Sequence, residues 1–309
     1  MQIVFLDSQT LGKDISLEKF KSLGDVTIYE TSNETNCLQR VKDAEIVVTN
    51  KVVIDKNIMD NSNIKLICIS ATGMNNVDLE YAKIKGIQVK NVAGYSTMSV
   101  AQHTISMVLH FVQKLNYYIN YVKSKEWEKS NLFTHIDQPI YELKDKTWGI
   151  IGLGTIGKQV AKIAKVFGCR VNYYSTSGKN IDTNYNSLSL EELITTSDII
   201  TIHAPLNDST YNLINKTYLN MMKDGTILIN VGRGGIINEK DLSEVIKGGK
   251  DLYCGLDVLE HEPIDKENPL NEILDSNRII ITPHIAWSSK EARIKLVDLV
   301  YQNILEYVK

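Results

Sequence analysis

Thr147-Trp148-Gly149-Ile150-Ile151-Gly152-Leu153-Gly154-Thr155-Ile156-Gly157-Lys158 is the stretch that decides the fold. Residues 148–151 form an apolar run that reads as a buried strand. Gly152, Gly154 and Gly157 follow in G-x-G-x-x-G spacing. Ile156, Val160, Ile163, Ala164 and Phe167 then recur at helical intervals up to Gly168, and 169–174 reads as the next strand. The glycines therefore lie in a complete strand-turn-helix-strand unit, the context in which their spacing has meaning. Gly152 permits the tight turn. Gly154, lacking a Cβ, lets a pyrophosphate approach the backbone. Gly157 lets helix and strand pack closely. The helix N-terminus, beginning at Thr155 and Ile156, offers unpaired N–H groups and partial positive charge to the phosphates.

Outward from that unit, the composition is that of a globular protein. The 309 residues suffice for two domains, 43% are hydrophobic, and the net charge of -3 comes from interspersed signs. No basic surface for nucleic acid and no charged tail is evident. The N-terminus lacks a basic segment followed by a long apolar run, so no signal peptide is expected, and no run is long enough to span a bilayer. Cys37, Cys68, Cys169 and Cys254 are scattered, three of them in strand-like runs. They read as reduced core residues of a cytoplasmic protein, with neither a disulfide frame nor a metal site.

Upstream, strand-like segments at 3–7, 26–29, 45–49, 65–70 and 87–92 alternate with short helical stretches near 17–23 and 78–85. That alternation predicts a parallel α/β sheet covered on both faces. Val100, Thr104, Met107, Val108, Phe111, Leu115, Tyr118 and Ile119 then predict one long helix, connecting two domains or lying in the core of either. Downstream of the glycine turn, strands are expected at 198–203, 226–231, 253–258 and 278–282, with helices at 190–195, 217–222 and 240–247. The expected fold is therefore α/β with two Rossmann-like, doubly wound parallel sheets, the first flavodoxin-like and discontinuous. A last helix, capped by the box Ser288–Glu291, would cross back to complete the first domain. The boundaries are then 1–97 plus 287–309 for a substrate-binding domain and 98–286 for a dinucleotide-binding domain, with a ligand cleft expected between them.

Three polar residues stand in loops directly after predicted strands: Arg233, Glu262 and His284. Ligands of open parallel sheets bind beyond the carboxyl ends of the strands, so all three belong to the same edge as the glycine turn. An arginine clamps a carboxylate or polarises a carbonyl. A histidine gives and takes one proton near neutral pH, and a carboxylate beside it orients the ring and favours its charged form. With a nicotinamide these parts make a carbonyl/alcohol redox site. Each residue also has a plainer reading. Arg233 could be a surface arginine, Glu262 a solvated turn residue before Pro263, and Asp257 a strand-end cap. His261 reads as a loop residue, His103 and His110 as structural positions in the long helix, and His135 as part of a polar loop.

Along almost its whole length the chain resembles the D-isomer-specific 2-hydroxyacid dehydrogenases, most closely the glycerate dehydrogenase (hydroxypyruvate reductase) branch. The resemblance is carried by segments 71–78, 91–97, 100–104, 152–157, 203–206 and 230–235, the run from Asp257 to Pro263, and Thr282-Pro283-His284. It implies that Arg233 binds substrate carboxylate and carbonyl, that His284 donates the proton, and that Glu262 pairs with it. It further implies that the N–H groups of Thr72 and Gly73 hold the carboxylate, that Asp257 faces the nicotinamide amide, and that His203, Ala204 and Pro205 line the cofactor. Thr104 and Val231 complete the expected cofactor contacts. Lys51 and Trp287 are candidate substrate contacts. A homodimer through the region 117–141 is implied as well.

One position departs from the family pattern. Members that prefer NAD carry an acidic residue at the end of the second strand, where it bonds the ribose 2′-hydroxyl. Here Ser175 stands there, followed by Thr176, Ser177, Gly178 and Lys179. Hydroxyls and a lysine suit a 2′-phosphate better than a carboxylate does. The expected cofactor is thus NAD(P), with a slight lean to NADP. The expected activity is hydride transfer from NAD(P)H to a small 2-oxo acid such as hydroxypyruvate or glyoxylate. The rival is a dinucleotide-sensing scaffold of the corepressor type with little catalysis.

Overall fold

The computed structural model describes residues 1–309, and the chain divides into two compact units: 1–96 with 288–309, and 97–287. In the first unit, strands β1 (Gln2–Phe5), β2 (Asp25–Ile28), β3 (Ile46–Thr49), β4 (Leu66–Ile69) and β5 (Gln88–Lys90) form a sheet in the order β2-β1-β3-β4-β5, every pair parallel. Helices α1 (Glu34–Val41), α2 (Lys56–Asp60) and α3 (Leu79–Ile84) connect them. β3 and β4 are buried at every residue, which is why they read as unbroken apolar runs. The order reverses between β1 and β3, the switch point of a flavodoxin-like sheet.

The second unit opens with α4 (Thr97–Gln113) and α5 (Leu115–Lys123). One helix was expected across both. The structure breaks it at Lys114, whose φ of 49° is left-handed. Before the break α4 buries Val100, Ala101, Met107, Val108 and Phe111; after it, Leu115, Ile119 and Val122 are exposed. The apolar periodicity continues in sequence, but the core that α4 packs against does not continue with it. That core makes α4 a central helix of this unit.

Next come β6 (Thr147–Ile151), α6 (Thr155–Val166), β7 (Arg170–Tyr174), β8 (Asn186–Ser187), α7 (Leu190–Thr196), β9 (Ile199–Ile202), α8 (Lys216–Met221), β10 (Thr226–Asn230), α9 (Glu239–Lys247), β11 (Leu252–Leu256) and β12 (Ile279–Ile281). The seven-stranded sheet runs β12-β11-β10-β9-β6-β7-β8, all parallel, so its order reverses at β6, between β7 and β9. β8 is a two-residue, exposed polar edge and carries no hydrophobic signal, so sequence reading passed over it. Trp148 is wholly buried, and its indole N–H is satisfied by Thr201 Oγ1 at 3.1 Å.

The final helix, α10 (Lys290–Val308), returns to the first unit. Its cap is Ser289, one residue beyond the expected Ser288; the Ser289 side chain accepts from the Ala292 N–H, and because alanine has no side-chain acceptor to return the bond, the expected capping box with Glu291 gives way to this single cap. The consecutive serines 288 and 289 make either register plausible in sequence, and the helix starts at Lys290.

Candidate active site

The carboxyl edge of the second sheet is built first by its glycines. Gly152 has φ of 92°, and a Cβ there would lie 2.8 Å from the Ala204 nitrogen. At Gly157 a Cβ would lie 2.3 Å from the Gly152 carbonyl oxygen. At Gly154 it would meet nothing within 4 Å. The first two are therefore glycine because protein presses on them, and Gly154 borders open space, as a cradle for a ligand requires. Gly154 is also the N-cap of α6 and provides no side chain, so the first-turn N–H groups at Thr155, Ile156 and Gly157 remain unclaimed.

Two more buried polar atoms at this edge lack partners. One is Ser175 Oγ, just after β7, and the other is Nδ1 of His203, just after β9. His203 Nε2 sits 3.0 Å from Thr201 Oγ1, and burial pushes the ring pKa down to about 3. Orphaned polar atoms beside an open glycine turn fit a dinucleotide, which would satisfy them. Ala204 and Val231 are buried, and Pro205 is exposed. Thr176 is half-buried and Lys179 is exposed. The structure adds Asp182, which sequence reading missed. It lies in the same loop, 3.3 Å from Lys158 Nζ on α6, and the Asn184 amides hold its carboxyl below the usual range.

Thr104 requires a correction. It is wholly buried, and its hydroxyl donates to the Val100 carbonyl of its own helix at 2.8 Å, so it has no surface to offer a cofactor. A threonine four residues after a helical carbonyl commonly bonds it this way, and the residue type alone does not reveal that.

Arg233 follows β10 in a loop fixed by Asn230. The Asn230 amide donates to the Arg233 carbonyl at 2.8 Å, and its oxygen accepts from the Gly232 N–H at 3.0 Å. The guanidinium is exposed and donates to the Gly232 carbonyl at 2.8 Å. At Gly234 an added Cβ would lie 1.8 Å from the Leu259 carbonyl oxygen, so this loop lies backbone against backbone on the loop that carries Glu262. Glu239, a buried carboxylate on α9, holds the same loop by accepting from the Glu260 N–H at 2.7 Å.

Glu262 Oε2 lies 2.7 Å from His284 Nδ1, and Glu262 Oε1 accepts from the Leu259 N–H at 3.1 Å. His284 Nε2 makes no hydrogen bond within the protein. The His284 backbone is left-handed, φ 52°, a conformation non-glycine residues adopt rarely and mostly where surroundings enforce it. Asp257 enforces it. This buried carboxylate accepts from Thr282 Oγ1 at 2.6 Å, from the Ile285 N–H at 2.8 Å and from the Ala286 N–H at 2.8 Å. Trp287 is half-buried against the core formed by α4 and β6.

In the first unit, Thr72 and Gly73 follow β4. The Thr72 hydroxyl donates to the Val92 carbonyl at 3.1 Å, and the Thr72 carbonyl accepts from the Asn91 amide at 2.7 Å. The N–H groups of Thr72 and Gly73 donate to no acceptor in the protein. The Lys51 amide donates to buried Asp7 at 2.7 Å, and its side chain lines a cleft of about 350 Å³ with Gln9, Thr10, Glu30 and Ser32. No helix is long and apolar enough to cross a membrane.

A glycine-turn nucleotide cradle and a histidine–carboxylate pair on one sheet edge define a nicotinamide-dependent oxidoreductase of the two-unit α/β class. The family model for the D-isomer specific 2-hydroxyacid dehydrogenase, NAD binding domain, matches residues 105–286. A putative 2-hydroxyacid dehydrogenase of Haemophilus influenzae is 38% identical, the match covering 100% of this chain and 98% of that one. A hydroxypyruvate reductase of Blautia hydrogenotrophica is 37% identical, over 100% and 97%. A D-lactate dehydrogenase of Aquifex aeolicus, complexed with NAD and lactic acid, superposes with a TM-score of 0.84 at 27% identity, over 99% and 95%. The chain belongs to the D-isomer specific 2-hydroxyacid dehydrogenase family.

Proposed function

We propose that the protein reduces a small polar 2-oxo acid, hydroxypyruvate or glyoxylate, to the D-2-hydroxy acid. The observation that carries this reading is the His284–Glu262 pair, 2.7 Å apart on the same sheet edge as the open glycine turn. When bound, a nicotinamide dinucleotide supplies the hydride. The Gly154 cradle and the α6 N-terminus would hold its pyrophosphate, with Ser175 and Thr176 at the ribose, and His203, Ala204, Pro205, Val231 and Asp257 along its length. The Arg233 guanidinium, with donors left over after its bond to Gly232, binds the substrate carboxylate and polarises the carbonyl. The N–H groups of Thr72 and Gly73, which donate to no acceptor in the protein, are the proposed donors of the first unit to a substrate carboxylate. Glu262 fixes His284 through Nδ1, leaving Nε2 to protonate the carbonyl oxygen as alkoxide charge develops. Lys51 in the first unit and Trp287 in the second are each proposed as a substrate contact. The name of the Blautia relative supports hydroxypyruvate, and a relative in Methylorubrum extorquens named glycerate dehydrogenase, 34% identical over 99% of the chain, supports it further.

The cofactor is NAD(P), with a lean to NADPH, because the Ser175 hydroxyl is unpartnered and no carboxylate stands at that position to repel a 2′-phosphate. The assembly is a homodimer through 117–141, and four free, buried cysteines suit a reducing cytoplasm. Initial rates with hydroxypyruvate, glyoxylate, pyruvate and 2-oxoisocaproate, each with NADH and NADPH, test the reading. Highest kcat/KM is expected for the two small polar acids, with NADPH equal to or better than NADH. Preference for 2-oxoisocaproate, or a hundredfold preference for NADH, contradicts the respective assignments.

A further inference from the structure

His103 stands on α4 one turn after Ser99, so the two share a face of that helix. Both reach the loop that carries His284. Ser99 Oγ donates to the Ala286 carbonyl at 2.6 Å, and His103 Nε2 lies 3.1 Å from Thr282 Oγ1 and 3.6 Å from Asp257 Oδ1. The direction of the His103–Thr282 bond follows from counting protons. The threonine hydroxyl has one proton, and an ionised carboxylate only accepts, so at 2.6 Å that proton goes to Asp257. Thr282 Oγ1 therefore accepts from His103, and Nε2 carries the ring proton. A chain of donors results: His103 to Thr282, Thr282 to Asp257, and Asp257 in turn holding the Ile285 and Ala286 amides. The His284 N–H closes the turn on the Thr282 carbonyl at 2.9 Å. Every bond in the chain has at least one end on a residue within two positions of His284.

We propose that His103 is a positioning residue for the reaction: through Thr282 and Asp257 it holds the 282–286 loop in the left-handed turn that aims the His284 ring. The proposal rests on the reading of His284 as proton donor. A side chain at 103 without a donor leaves the Thr282 hydroxyl free to swing off Asp257 and loosens the turn, while the glycine cradle stays intact. Misplacement by about 1 Å costs on the order of 100-fold in rate.

The test compares wild type with His103→Phe, His103→Gln, His284→Ala and the double variant His103→Phe/His284→Ala. Steady-state reduction of hydroxypyruvate and NADPH affinity by fluorescence quenching are measured for each. His103→Phe is expected to lower kcat 10- to 100-fold with the cofactor Kd within twofold of wild type. His103→Gln, whose amide donates to Thr282, is expected to recover most of that loss. In the His284→Ala background, His103→Phe is expected to have no further effect. Wild-type kcat in His103→Phe, a glutamine variant as slow as the phenylalanine one, or equal fold-losses in both backgrounds would each overturn the proposal. Full activity in His284→Ala itself would instead sink the assignment of the proton donor, so the two failures are distinguishable.

Discussion

Three glycines within six residues do three different jobs, and substitution separates them. Gly154→Ala introduces a methyl into open space at an ordinary φ of -79°, so the fold is expected to keep its stability while the cofactor KM rises at least tenfold. Gly157→Ala drives a methyl to 2.3 Å from a carbonyl oxygen, and overpacking of that kind costs about 1–3 kcal/mol. Thermal denaturation and cofactor titration of the two variants check this, and a loss of stability in Gly154→Ala would contradict it. His203 gives a second expectation. Its folded-state pKa of about 3 lies below the ordinary 6.5, so the unfolded chain binds the extra proton. Its contribution is whole above pH 6.5 and drains away as pH falls towards 3, by at most ~1.4 kcal/mol per pH unit. Urea midpoints between pH 4 and 7 should fall less steeply in His203→Asn than in wild type, and parallel slopes would refute this. At this scale the glycine spacing was legible in sequence because each role follows from the missing Cβ. The supports were not legible: Glu239, Asp182 and the His103–Thr282–Asp257 chain act through contacts between residues distant in sequence, which the segments carrying His103, Asp257 and Thr282 do not by themselves reveal.

The elements follow from burial patterns, and they depart from expectation where burial stops. β6, β9 and β10 are buried throughout and were readable as apolar runs, whereas β8 has no buried residue to announce it. The periodic stretch beyond Gln113 is apolar yet faces solvent, and the left-handed Lys114 turns it off the core. That leaves an arm on which Leu132, Phe133 and Ile136 are exposed, Phe133 by 90%. His135 is stacked on Tyr121 at 3.7 Å and lies 2.9 Å from the Tyr117 hydroxyl, so the arm is internally ordered. Exposed apolar side chains on an ordered arm support the proposed homodimer through this region. A second copy of the chain is the proposed occupant. Sedimentation of wild type is expected to give a dimer, and Phe133→Ser with Ile136→Ser a monomer or a dimer at least tenfold weaker. A wild type that sediments as a monomer at micromolar concentration would rule this out.

At the scale of the molecule, two parallel sheets of five and seven strands each reverse their strand order once, and the candidate residues gather after the strands. The strand–helix alternation made that architecture readable in the sequence, because fully buried parallel strands must be apolar and their connections are usually helical. The discontinuous first unit was readable too, because that unit lacked a C-terminal partner and the last helix could cross back to supply one. The proposed chemistry rests on one pair above all, His284 and Glu262. The most direct measurement is the initial rate of NADPH- and NADH-dependent hydroxypyruvate reduction by wild type and His284→Ala at equal, folded concentrations. Rapid turnover by wild type, reduced about 10²- to 10⁴-fold in the variant with dinucleotide affinity retained, is the expected result. Equal rates in the two proteins, or no turnover of any 2-oxo acid by a wild type that binds the dinucleotide tightly, would contradict it.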